Sequence, residues 1–207
     1  MMLRRVVLAV VLGVLAVGLG ACGSSSGVEA TVSSGGAEEG AACVDAVLAG
    51  EDNAKALCTE AADLGDSDGM YGLGRLAWVA GDLELAESWF QKAAALGNSI
   101  AMKSLGLLAY VAGDWELAKS WYQKAAALGN LGAMMTLGRL AYVAGDLELT
   151  ESWWQKAADL GDSDGMYGLG MLAYEAGDLE LAKSWYQKAA DLGNQSAIGA
   201  LAEFDAS

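Results

Sequence analysis

Histidine and proline are both absent from this 207-residue chain. Without histidine, the commonest general base and the commonest metal ligand are missing. Without proline, helix interiors go unbroken, which suits a helical protein with short, repeated turns. Cations are scarce, with Lys and Arg numbering 12 against 27 Asp and Glu, for a net charge of −15. Removal of Arg4 and Arg5 with an N-terminal leader makes the chain more acidic still. Such a surface repels phosphate backbones, so nucleic acid is not an expected partner. The acids keep an apolar-rich array soluble, or they attract a basic partner. No phosphate loop, Ser/His/Asp set or paired-carboxylate signature stands out, and neither an enzyme nor a cofactor is expected. Asp66-Ser67-Asp68-Gly69, which returns at 162–165, has part of a calcium-loop pattern. It lacks the further ligands and the distal Glu, and reads better as a helix cap.

What the chain has in abundance is repetition. AGDLELAESWFQKAAALGN at 80–98 returns with few changes at 112, 144 and 176, a fixed period of 32 residues. A fixed period in this range denotes a stacked array of one supersecondary unit. In the unit Ser67 to Asn98, Met70, Leu73, Gly74, Leu76 and Ala77 recur at helical spacing. Gly81 ends that helix and Asp82 caps the next, with Glu84 in its first turn. Leu83, Ala86, Phe90 and Ala93 form a second apolar stripe; Gly97 stops it and Asn98 caps the first helix of the next unit. The expected fold is all-α, a right-handed α-solenoid of stacked antiparallel helix pairs. Full units fall at 67–98, 99–130, 131–162 and 163–194. Residues 195–207 begin one more first helix, expected to cap the array. The series Trp89, Trp121, Trp153 and Trp185 is expected to pack between second helices.

Leu73-Gly74, Gly81-Asp82, Ala86, Phe90 and Ala93 sit at the spacings of the tetratricopeptide signature. Ala86 to Ala94 followed by Gly97, and the link Gly97 to Gly106, resemble the Sel1-like repeat. The tight Gly-Asp turn is the tetratricopeptide form and lacks the longer turn usual in Sel1 units. The joint between units lacks the tetratricopeptide proline.

The N-terminal segment reads as an address. Arg4 and Arg5 precede an uncharged, mostly apolar run from Val6 to Gly20, too short to span a membrane. It ends in Leu19-Gly20-Ala21-Cys22, which resembles the lipobox of bacterial lipoproteins. The resemblance implies a signal peptide over 1–21, lipid on the sulfur of Cys22, and a chain anchored to a bacterial membrane outside the cytoplasm. Residues 22–40, rich in Ser and Gly, read as a flexible tether. Residues 41–66 read as a degenerate first repeat. Its Cys43 and Cys58 fall on the two helices of one hairpin, and in an exported chain they are expected to pair. The alternative is two buried thiols. A metal there is not expected, since no further ligand is near.

In tetratricopeptide-like arrays the first helices line the concave face. Carried onto this chain, the inward positions are Tyr71, Arg75 and Trp78 in the first full unit and Lys103, Leu107 and Tyr110 in the second. Met135, Arg139 and Tyr142 hold these places in the third, and Tyr167, Met171 and Tyr174 in the fourth. Trp78, Tyr110, Tyr142 and Tyr174 form an aromatic ladder, with Met, Leu and three cations between the rungs. Such a surface suits contact with a protein or peptide partner. Alternatively the ladder packs against neighbouring helices, or its rings bind cell-wall glycan in a structural envelope module.

Overall fold

The computed structural model describes residues 35–206. The leader over 1–21, the lipidation at Cys22 and most of the tether lie outside these residues. The described residues form eleven helices and no strand. Five antiparallel pairs come in order: α1 (Gly35–Ala49) with α2 (Ala54–Asp63), α3 (Ser67–Val79) with α4 (Leu83–Ala95), α5 (Ser99–Val111) with α6 (Trp115–Ala127), α7 (Leu131–Val143) with α8 (Leu147–Asp159), and α9 (Ser163–Glu175) with α10 (Leu179–Asp191). A single helix, α11 (Gln195–Ala206), ends the array. Each first helix packs on its own second helix and on that of the preceding pair, which makes an α-solenoid. No described helix is long and apolar enough to cross a membrane.

Helix α1 begins at Gly35, inside the segment read as tether. The Ser- and Gly-rich composition gives this stretch little local reason to order. Its order comes from packing on the start of the next pair: Gly40 is buried, and a Cβ there would collide with the Asp66 carboxylate.

The turns explain the regular period. Gly81 takes a φ of 82° at the end of α3, a conformation that side-chain-bearing residues avoid. The Gly81 N–H then donates to the Trp78 carbonyl and the Asp82 N–H to the Ala77 carbonyl, each at 3.0 Å. Asp82 at once caps α4, its carboxylate accepting from the Leu85 N–H at 3.0 Å. One residue thus closes one helix and opens the next, and the later pairs repeat this at Asp114, Asp146 and Asp178.

The joints between units carry a second hydrogen-bonding device. Asn98 caps α5 through Oδ1, which accepts from the Ala101 N–H at 2.9 Å. Its Nδ2 donates back to the Asp68 carboxylate of the preceding unit at 2.7 Å. Asn130 reaches Ser99 and Asn194 reaches Asp164 in the same way. The caps at the other two joints are Asp66 and Asp162, and α7, which precedes the second of these, begins with Leu131, which offers no side-chain acceptor. Burial pushes the Asp162 carboxyl above its ordinary range. Asn98→Ala removes a cap and a charge-assisted bond together, and should cost about 1–2 kcal/mol in chemical denaturation. Asn98→Asp keeps the cap but faces Asp68 with a like charge, so it should also weaken the joint. Full stability in the Asn98→Asp variant would show that the link to Asp68 contributes nothing.

Inside each unit a glycine faces a large ring. A Cβ on Gly74 would lie 2.5 Å from the Phe90 ring, one on Gly106 2.7 Å from Tyr122, and one on Gly170 2.5 Å from Tyr186. Gly138 stands to Trp154 in the same relation. The ring therefore fills space that any side chain on the first helix would occupy. In the first pair the same two places hold Cys43 and Cys58, joined by a disulfide with Cα atoms 4.7 Å apart. Both are fully buried, and Gly72 leaves the room for their sulfurs.

The tryptophan series takes up the outer seam. Trp89 packs on the cluster around Cys58, Trp121 on that around Phe90, Trp153 on that around Tyr122 and Trp185 on that around Trp154. Each ring carries the lysine of its own helix three residues on, Lys92, Lys124, Lys156 or Lys188, at 3.8–4.1 Å from the centroid. Rings so covered pack partly buried against these core clusters, which draw on first and second helices alike.

Candidate functional site

The positions expected to look inward share one side of the array, but they differ in depth. Tyr71 departs from the expectation. It is 7% exposed, with its ring 5.8 Å from that of Phe90, and belongs to the floor of the groove. Arg75 and Trp78 are half-buried, the latter tilted against Phe90 at 6.4 Å. Lys103 is half-buried, while Leu107 and Tyr110 are 43% and 38% exposed. Met135 is half-buried and Arg139 exposed. Tyr167 and Met171 are half-buried; Tyr174 is 55% exposed.

The rungs differ: Tyr110 and Tyr174 are exposed and propped by an aromatic ring, whereas Trp78 and Tyr142 are half-buried against the cores around Phe90 and Trp154. Tyr110 meets Trp115 edge-on at 4.7 Å, Tyr142 stacks on Trp154 at 6.0 Å, and Tyr174 meets Phe204 of α11 edge-on at 5.7 Å. Such contacts hold a ring in one orientation and leave a face or edge open. The Tyr142 hydroxyl donates to Glu175 Oε1 at 2.7 Å, tying the third unit to the fourth. That bond pushes the Tyr142 phenol above its ordinary value.

Between successive first helices the floor rings open into clefts. The cleft between α5 and α7 has a volume of about 460 Å³ and is lined by Lys103, Leu107, Tyr110, Tyr122, Thr136, Arg139 and Leu140. A second, of about 340 Å³, lies between α9 and α11 and is lined by Tyr167, Tyr174, Leu179, Tyr186, Ala200, Glu203 and Phe204. Burial pushes both floor phenols up, Tyr122 and Tyr186, against the pull of the Arg139 guanidinium on Tyr122. The floor residues Tyr122 and Tyr186 are not among the inward positions marked by the first-helix spacing. A signal for them is present in the sequence: they share the ring position of Phe90 and carry a hydroxyl it lacks. Trp154 takes the same place, and its buried Nε1 donates to no acceptor among the described residues.

The described residues gather no three His, Cys, Asp or Glu as metal ligands. What the groove offers is rings, aliphatic side chains, a few cations and open backbone-wide clefts, which is the equipment of a binding surface.

Comparison with known proteins agrees with this architecture. The Sel1 repeat family matches residues 101–130, 130–162 and 163–194, and a tetratricopeptide repeat family matches 32–99. No curated protein matches the sequence significantly. Among solved structures, a Sel1 repeat protein from Oxalobacter formigenes is 27% identical with a TM-score of 0.62, over 74% of this chain and 50% of its own. An immunity protein from Pseudomonas aeruginosa is 27% identical with a TM-score of 0.57, over 77% of this chain and 67% of its own. A protective antigen of uropathogenic Escherichia coli strains, 22% identical with a TM-score of 0.60, shares the fold. This chain spans 39% of that antigen's length and 50% of the Oxalobacter protein's. Repeats of both kinds bind protein partners, and such scaffolds are generally non-enzymatic. Over 101–194 the array is similar to Sel1 repeats, and over 32–99 to tetratricopeptide repeats.

Proposed function

We propose that this protein is an extracytoplasmic lipoprotein, held at a bacterial membrane by lipid on Cys22, whose helical repeats bind a protein or peptide partner as scaffold or adaptor. The observation that carries the binding half is the state of the ladder. Tyr110 and Tyr174 stand open on the groove, each braced by a second ring, above a floor already closed by Tyr122 and Tyr186. A ring needed only for packing would be covered; a ring braced yet open is pre-organised for a partner, because little side-chain freedom is lost on contact. The likeness to an immunity protein fits a protein as the partner class. The envelope half rests on the lipobox at Leu19 to Cys22, and the Cys43–Cys58 disulfide supports it, since such bonds persist in oxidising compartments.

Affinity capture from envelope extract tests the binding half. The full chain is the bait, beside a variant carrying Tyr110→Ser and Tyr142→Ser. A protein retained by the first and lost by the second, with both folded by circular dichroism, is the expected result. Equal recovery on both baits would remove the ladder from the site.

Anchoring has a separate readout. Cys22→Ser should move the protein from the membrane to the soluble fraction. Continued membrane association of the variant would defeat the lipid-anchor reading.

A further inference from the structure

The two clefts of the groove are the same place in two units. Lining positions correspond across two repeat periods: Tyr110 with Tyr174, Tyr122 with Tyr186, and Thr136 with Ala200. The charged positions do not correspond. Lys103 of the first cleft is replaced by Tyr167 in the second, and Arg139 by Glu203. Neither Lys103 nor Arg139 has an ion-pair partner among the described residues, in a chain where acids outnumber cations 27 to 12. At the other cleft, Glu203 and Glu175 both lie close enough to push the Tyr186 phenol up alongside its burial. The first cleft is therefore basic and the second acidic, while their aromatic walls are alike.

We infer that the groove binds an extended peptide segment in one direction only, with a carboxylate of the peptide in the Lys103–Arg139 cleft and a cationic side chain in the Glu203 cleft. This rests on the groove being the binding surface. A peptide carboxylate in the first cleft meets two cations beside the Tyr122 phenol. A lysine or arginine in the second meets Glu203 and the faces of Tyr174, Tyr186 and Phe204, where a cation is attracted to rings as well as to charge. Between them the half-buried Met135 and Met171 accept apolar side chains of varied shape. The reversed peptide would set carboxylate against Glu203 and cation against Arg139, and like charges at an interface exclude a wrong register more strongly than unlike charges favour the right one. The ends of the ligand are thus distinguished by charge, although the two clefts arose from one repeat.

The test uses the full chain in mild detergent and a display library of random twelve-residue peptides. Selected peptides should carry an acidic and a basic residue in a constant order, with apolar residues between. A selected peptide resynthesised with its two charged residues exchanged should bind at least about fivefold more weakly, the loss of one ordinary charge pair. The protein carrying Arg139→Glu and Glu203→Arg, both at exposed positions, should prefer the exchanged peptide. Selected peptides without charge order, or a preference that survives the protein swap, would overturn the directional reading. If such peptides still lose binding on Tyr110→Ser, the groove itself stands. Failure to select any peptide would count against both.

Discussion

Exchanging Gly138 for alanine is expected to destabilise the array by about 1–3 kcal/mol, although alanine is the better helix former. The position lies inside α7, where propensity alone would favour alanine by about 1 kcal/mol. Packing decides the sign. The new methyl would overlap the Trp154 indole, and that ring has nowhere to go. It is 5% exposed, and it is met from the far side by α9, where a Cβ on Gly168 would lie 2.7 Å from the ring. Tyr142 stacks on it as well, so displacing the indole disturbs a rung of the groove. Gly132 of the same helix is the control. A Cβ there would meet the flexible end of Lys103 at 3.3 Å and the Asn130 Oδ1 at an ordinary contact of 3.5 Å, so Gly132→Ala should be neutral or mildly stabilising. Combining Gly138→Ala with Trp154→Leu should cost less than the sum of the two single changes, since each removes the reason for the other's cost. Additive losses in urea denaturation, or a Gly138→Ala as harmless as Gly132→Ala, would show that the ring does not press on α7.

The repeat makes most of this architecture readable in advance. A hydrophobic face at helical spacing, a glycine where the chain must turn back, and an acid or amide at each new N-terminus recur in every unit, and each is a local signal. The structure puts the caps at Asp82 and Asn98, where those signals point. What escapes a local reading is non-local. Helix α1 extends back to Gly35 because it packs on the start of the next pair, and nothing in Gly-Gly-Ala-Glu-Glu-Gly announces that support. The equivalence of Cys43 and Cys58 to a glycine–ring pair is hidden because the two cysteines are 15 residues apart where the later glycine and ring are one residue further apart, which shifts the first helix out of register with the later ones. Tyr71 shares the spacing of the open positions; only the neighbouring ring of Phe90 shows that it is covered. The polarity of the clefts is hidden for a further reason. Lys103 and Arg139 belong to different units, and sequence spacing does not say that α5 and α7 leave a cleft between them in which both stand.

Reduction of the Cys43–Cys58 disulfide should loosen the first helical pair and spare the rest. The bond closes a separation of 15 residues, and loop-closure entropy for a ring of that size is worth about 3 kcal/mol. In later pairs that region is held instead by a ring filling the space over a glycine. Here both sulfurs are buried, Gly72 of α3 stands clear to admit them, and no large side chain is present to take their place. A solenoid is stabilised by neighbouring pairs in series, so a terminal pair that loses its staple can open without unfolding the remainder. Amide exchange over 35–66 should therefore accelerate by roughly a hundredfold on reduction, the factor that about 3 kcal/mol implies, with exchange from Ser99 onward unchanged. A variant with Cys43→Gly and Cys58→Tyr would install the glycine–ring pair of the later units. It should keep slow exchange whether or not reductant is present. Acceleration spread along the whole array would mean that the first pair is integral to one cooperative unit. No acceleration at all would mean that the contacts of α1 with α2 and α3 suffice without the bond. The expected outcome leaves the disulfide as the first pair's substitute for the buried ring.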